Sequence, residues 1–179
     1  MTRWTGLVEE LMRERGPRLV AYAALLVGRD GDAEDLVHDA LVKVFSRPRR
    51  LSTVGEAEAY VRSTMPSIVI DRARSAASRR RARDRAFERP REAPDLDAGL
   101  DVRRALRGLS PRVQVCVVLR FFDDLTVPQI AQRLGIAEGT VKRYLHDAVA
   151  QLAPLLDVTA DWDEEPRTVE VVAALERGR

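Results

Sequence analysis

Residues 125–146, LTVPQIAQRLGIAEGTVKRYLH, constrain this chain more than any other stretch. Thr126 and Gln129 stand three apart, the spacing of a reciprocal cap at a helix start. Pro128 then falls in the first turn, where its missing N–H costs little. Ile130, Ala131 and Leu134 line one side of the predicted helix, and Gly135 suits the left-handed residue that ends it. Val141 and Leu145, four apart, face back onto that helix from a second one. Glu138, Gly139, Thr140, Lys142, Arg143 and His146 are left for an outward, polar and basic face. A buried seam beside such a face is what reading base edges in a major groove requires, and an ordinary helical hairpin shares the seam alone.

The composition agrees with an all-α fold. Hydrophobic residues make up 45% of the chain but aromatics only 5%, so the core is expected to be rich in Leu, Val and Ala. No apolar–polar alternation flanked by hairpin turns marks a strand. The net charge of +2 is too small to argue for nucleic acid by itself. Its distribution says more, because arginines crowd the middle of the chain and acidic residues crowd the end. All basic residues except Lys43 and Lys142 are arginine. That suits phosphate and guanine contacts, and it equally follows from a GC-rich coding sequence.

Several classes are disfavoured. The single cysteine, Cys116, sits among Val113, Val115, Val117, Val118 and Leu119 and reads as a buried thiol. One cysteine and two histidines, His38 and His146, leave no metal site to expect and no cofactor. No nucleotide-binding glycine loop or nucleophile–base pair is present, and the adjacent carboxylates Asp123 and Asp124 point apart on any helix or turn. No catalytic residue is expected. Glu9 and Glu10 precede any apolar run, and the stretch 19–28 is too short to span a bilayer. The expectation is a cytoplasmic protein with no membrane insertion.

The chain divides into two helical blocks, a linker and a tail. The first block, 1–87, has helical apolar spacing at Leu11, Leu19, Ala23, Leu26 and Val27, broken by residues 28–31. Asp32 is the expected cap of the next helix, with Leu36, Val37, Ala40, Leu41, Val44 and Phe45 on its buried face. A third helix is expected from about Glu56, with Pro66 predicting a kink or local break. It leads into Arg72, Arg74, Arg79, Arg80, Arg81, Arg83 and Arg85. Continuing from an apolar helix, these arginines would concentrate positive potential along a line, as a phosphate backbone requires. Residues 88–98, with Pro90 and Pro94 among charges, read as a flexible linker. The second block, 99–156, begins with a short helix marked by Val102, Leu106 and Leu109. Ser110 and Pro111 then form a cap and first-turn proline. Residues 115–122 make the next helix before the helix-turn-helix. The tail, 157–179, is acidic around Trp162 and carries a possible short helix; it is either solvated or folded back on a basic surface.

Read together, these blocks resemble an RNA polymerase sigma factor of the extracytoplasmic-function class. The segment 32–45, DAEDLVHDALVKVF, resembles the one that docks on the polymerase clamp. Ala59, Tyr60, Val61 and Arg62, with 70–74, IDRAR, resemble the helix that melts and reads the −10 element. The segments 109–114, 118–126 and 138–142 resemble the −35-binding domain. The resemblance covers most of residues 10–155 in order.

It implies two small helical domains, of region 2 and region 4 type, in a subunit that gives core polymerase its promoter choice. Glu34, Asp35, His38 and Asp39 would contact polymerase. Tyr60, Arg62, Asp71, Arg72, Arg74, Arg79 and Arg80 would face the −10 element; Tyr60 is the one stacking candidate among them, and core packing is the favoured reading of its ring. Glu138, Gly139, Thr140, Lys142, Arg143 and His146 would face the −35 element. The implied partners are core RNA polymerase, promoter DNA and an anti-sigma factor, the chain being a monomer when free. Some positions depart from the family pattern: His38 and Asp39 stand for Gln and Glu, Phe45 for Trp, and Ala137 for a serine cap. The competing reading is a stand-alone helix-turn-helix regulator, which would bind DNA without polymerase.

Overall fold

The structure, a computed structural model, describes residues 3–27, 30–46, 51–83 and 105–156, and these contain helices and no strand. Three helices make the first half: α1 (Arg3–Val27), α2 (Asp30–Phe45) and α3 (Val54–Arg83). Three more follow a helical turn at 105–107: α4 (Pro111–Phe121), α5 (Val127–Leu134) and α6 (Glu138–Leu156). The linker at 88–98 and the acidic tail lie outside the described residues.

The first three helices pack on one another through Leu11, Leu19 and Leu26 of α1, Leu36, Ala40 and Val44 of α2, and Val61 and Met65 of α3. All eight are 2% exposed or less. The apolar spacing of α2 thus goes where the sequence sends it, with Leu41 and Phe45 only partly covered. Its start differs. The helix begins at Asp30, so Asp32 lies in the first turn rather than at the cap. There its carboxylate still favours the helix through the dipole.

Pro66 does not break α3, which runs unbroken through it. A mid-helix proline removes one i→i−4 hydrogen bond. Around it, side-chain hydroxyls tie the turns: Ser63 and Thr64 both donate to the Tyr60 carbonyl at 2.8 Å, and Ser67 donates to Thr64 at 2.8 Å. The N-terminus of α3 also starts earlier than its apolar pattern. The Glu56 N–H donates to Thr53 Oγ1 at 3.2 Å, while its carboxylate accepts from the Ser52 N–H at 2.8 Å.

α4 is the central helix. Residues 113–119 are all buried, seven in a row. A helix covered all round must be enclosed by neighbours, and α4 packs against α1 and α3 on one side and α5 and α6 on the other. It starts at Pro111, earlier than its apolar run, with Ser110 in extended conformation at the cap position. The Ser110 hydroxyl makes no capping bond; its carbonyl accepts from the Gln114 N–H at 2.9 Å. Cys116 is fully buried, and burial pushes its thiol up to about 12. It stays protonated and unreactive.

The helix-turn-helix forms as its residues dictate. Thr126 and Gln129 complete the reciprocal cap of α5, and Gly135 ends that helix at φ 64°. Ile130 and Ala131 meet Val141 and Leu145 in the seam, all buried. Ala137 precedes α6, and its carbonyl accepts from the Thr140 and Val141 N–H groups at 2.9 and 3.2 Å. Alanine offers no side-chain acceptor to the first turn. Ala137→Ser is therefore expected to raise stability by about 1 kcal/mol, read as a higher midpoint in thermal denaturation; an unchanged midpoint would show that Glu138 already satisfies that turn.

Candidate interfaces for nucleic acid and protein

Three surfaces follow from this packing. On α2, burial of Leu36, Val37, Ala40 and Val44 turns Glu34, Asp35, His38 and Asp39 to solvent. Val42, 54% exposed, lies on the same side, one turn beyond His38. The face therefore offers negative charge next to an apolar edge, a combination suited to a protein partner.

The second surface runs along α3. Tyr60 is half-buried against the core, so its ring is not a fully presented stacking platform. Arg62 is half-exposed and committed to contacts described below. Asp71 and Arg74 are exposed and lie 3.8 Å apart, one turn along the helix. Arg72 reaches across to α2 and donates to Asp39 at 2.5 Å. One predicted polymerase contact and one predicted −10 contact are thus an ion pair. Arg79 and Arg80 continue the same helix, as do Arg81 and Arg83; Arg85 lies outside the described residues.

The third surface is the outer face of α6. Glu138, Gly139, Lys142, Arg143 and His146 are exposed and Thr140 is half-exposed, opposite the buried Val141 and Leu145. Arg143 lies over the Tyr144 ring, 5.5 Å from its centroid, which limits the orientations of the guanidinium. A Cβ built at Gly139 would meet nothing within 4 Å. Packing does not demand glycine there, and its bare backbone leaves room for close approach of a ligand.

A fourth cluster was not legible in the sequence. Asp123 follows α4 and is turned back toward the first three helices. The turn is set by Asp124 at φ 51°, by the Asp123 N–H donating to Val118 at 3.3 Å, and by the Leu125 N–H donating to Leu119 at 3.0 Å. The Asp123 carboxylate accepts from Tyr22 Oη at 2.7 Å and from Arg62 Nη2 at 2.9 Å. Arg133 Nη1 stands 3.8 Å away, and the Arg62 guanidinium lies 4.3 Å over the Tyr22 ring. Burial, reinforced by the Asp123 charge, drives the Tyr22 phenol well above its ordinary value, so it remains a donor throughout the neutral range. Asp124, the adjacent carboxylate, is exposed and takes no part. Among the described residues, no group of three or more His, Cys, Asp or Glu side chains is placed to hold a metal ion. No described helix is long and apolar enough to cross a membrane.

Known proteins resemble the chain over most of its length. The family profile of Sigma-70 region 2 matches residues 11–80, and that of Sigma-70, region 4 matches residues 99–152. The ECF RNA polymerase sigma factor SigL of Mycobacterium tuberculosis is 33% identical over 154 residues, spanning 82% of this chain and 87% of that protein. The RNA polymerase sigma-E factor of Streptomyces coelicolor is 32% identical over 164 residues, spanning 87% of this chain and 88% of that one. In fold, the chain is similar to the sigma factor RpoE from Bartonella quintana, crystallised in complex with the anti-sigma factor NepR. That likeness has a TM-score of 0.57 at 24% identity, covering 86% of this chain and 98% of the other.

Proposed function

Because this chain belongs to the extracytoplasmic-function (ECF) class of RNA polymerase sigma factors, we propose that its three exposed surfaces divide promoter selection between them. A sigma factor directs RNA polymerase to promoters, and it needs surfaces for one protein and two stretches of DNA. In this reading residues 1–87 dock on polymerase and engage the −10 element, and residues 99–156 read the −35 element. The α2 face of Glu34, Asp35, His38 and Asp39 is the dock. Tyr60, Arg62, Asp71, Arg72, Arg74, Arg79 and Arg80 supply the −10 surface, mostly as positive charge along α3. Glu138, Gly139, Thr140, Lys142, Arg143 and His146 supply the −35 surface.

The observation that carries this reading is the α5–α6 pair. A fully capped first helix and a buried seam leave the outer face of α6 free, with Lys142 and Arg143 side by side at its N-terminal end. That is the end of a recognition helix that meets base edges. An anti-sigma factor, such as the one bound to the Bartonella quintana protein, is a further partner we extend to this chain. It would act by covering the α2 dock or a DNA face.

The test is capture of core RNA polymerase by the full chain. Asp35 has no ion-pair partner among the described residues, whereas reversing Asp39 would also release Arg72. Asp35→Arg is therefore the cleaner variant, expected to weaken capture at least about tenfold, because like charges brought together at an interface cost several kcal/mol. Capture by the wild type and loss in the variant support the α2 dock. Capture unaffected by the change would move the dock elsewhere. No capture by the wild type would favour a helix-turn-helix regulator acting alone.

A further inference from the structure

We infer that Asp123 is an interdomain latch: it occupies Arg62 in place of DNA, so that closure of the two halves and engagement of the −10 strand are mutually exclusive. The inference rests on the placement of Arg62 in the −10 surface.

The contacts join distant parts of the chain. Tyr22 and Asp123 are 101 residues apart, Arg62 and Asp123 are 61 apart. Within the cluster, Asp123 is the better covered member, 13% exposed against 38% for Arg62. A carboxylate presents two oxygens to a guanidinium fork much as a phosphate does. Arg62 cannot give the same donor to a nucleic acid while Asp123 holds it. The Tyr22 ring beneath the guanidinium and the Tyr22 hydroxyl on the carboxylate fix both partners in register.

Size gives the second argument. By the positions that name them, the −35 and −10 elements lie about 25 base pairs apart, which is about 85 Å of duplex at about 3.4 Å per pair. The longest helix, α3, has 30 residues and spans roughly 45 Å. A compact chain of this length has a radius of gyration of roughly 16 Å. With α4 packed between α1, α3, α5 and α6, the α3 and α6 surfaces cannot reach both elements together. Opening is thus a condition of promoter binding. The latch sets how much of the population is already open. Apolar packing of α4 and a Gln114–Leu25 hydrogen bond also hold the closed form, so releasing Asp123 shifts the balance without dissolving the interface.

The experiment compares the full wild-type chain with Asp123→Asn, Tyr22→Phe, and Asp123→Asn combined with Arg62→Gln. Small-angle scattering reports the radius of gyration, and a short fluorescein-labelled single strand of DNA at low salt reports binding. Circular dichroism verifies that helix content is retained. Asp123→Asn is expected to expand the chain and tighten strand binding by about tenfold, the scale of one charge-assisted contact expressed through a population shift. Tyr22→Phe, which leaves Arg62 intact, should move both readouts in the same direction by less. Adding Arg62→Gln should remove the gain in binding while the expansion remains. Unchanged dimensions and affinity in Asp123→Asn would overturn the latch. Expansion without tighter binding, or a gain that survives Arg62→Gln, would overturn the competition at Arg62. Failure of the wild type to capture core polymerase would sink the sigma-surface assignments separately, since the scattering arm does not depend on them.

Discussion

Leu119→Ala is expected to lower the stability of the chain by about 2–5 kcal/mol. Leu119 is fully buried in α4, the helix enclosed by elements of both halves. Its carbonyl also accepts the Leu125 N–H that shapes the turn carrying Asp123. Deleting three carbons there leaves a cavity walled by helices that are anchored elsewhere, so little of it can collapse. Against a typical total of about 5–15 kcal/mol this is a large fraction. The helical signal in thermal denaturation should fall roughly 5–20 °C earlier than in the wild type. A change under about 1 kcal/mol would mean that α4 is less tightly enclosed than its burial implies.

The second large effect is expected on the outer face of α6, the surface proposed to read the −35 element. Lys142 and Arg143 sit together on the exposed face of α6, and they differ in what they can do. Arg143 has a planar fork held over Tyr144, which suits a two-point contact with guanine. Lys142 carries a flexible point charge, which suits a phosphate. Arg143→Ala should therefore cost about 1–3 kcal/mol on the best −35 sequence and flatten the preference among sequences. Lys142→Ala should weaken all sequences alike and reduce the salt dependence by roughly one phosphate. The measurement is binding of reconstituted holoenzyme to a promoter selected with the wild type, with the −35 element varied and the salt titrated. Equal losses on all sequences for Arg143→Ala would reassign it to the backbone.

Much of the fold was legible because its signals are local. The Thr126–Gln129 cap, Gly135 and the Val141–Leu145 seam are decided within one or two helical turns, and the structure realises each of them. The outward turn of Glu34, Asp35, His38 and Asp39 was legible for the same reason, since the apolar periodicity of α2 assigns the opposite face to the core. Boundaries were less legible. Asp32 looks like a cap, but the helix begins two residues earlier; Pro66 looks like a break, but packing of α3 against α1 and α2 carries the helix through it.

The latch cluster could not be read because its members are far apart in sequence. Tyr22 carries no local mark within its apolar helix, and Asp123 read as half of a carboxylate pair. Nothing local says that a left-handed Asp124 turns Asp123 back onto α1 and α3. One signal was present. The run VQVCVVL at 113–119 is apolar all round apart from Gln114, and such a helix must be enclosed on every side. That run foretells a second partner for α4 beyond α5 and α6.

Gln114 itself shows what that enclosure entails. Its side chain, 4% exposed, donates from Nε2 to the Leu25 carbonyl at 2.7 Å. Leu25 lies in the last turn of α1, where carbonyls have no partner further along their own helix. A residue from the second half of the chain thus finishes a helix belonging to the first. When the halves separate, that carbonyl must turn to water, and the end of α1 becomes free to fray. The unit of cooperative unfolding is therefore larger than either half while they are joined, and it divides when they part. Amide hydrogens near Leu25 are therefore expected to exchange more slowly in the closed form than a helix end usually allows, at a rate set by separation of the halves.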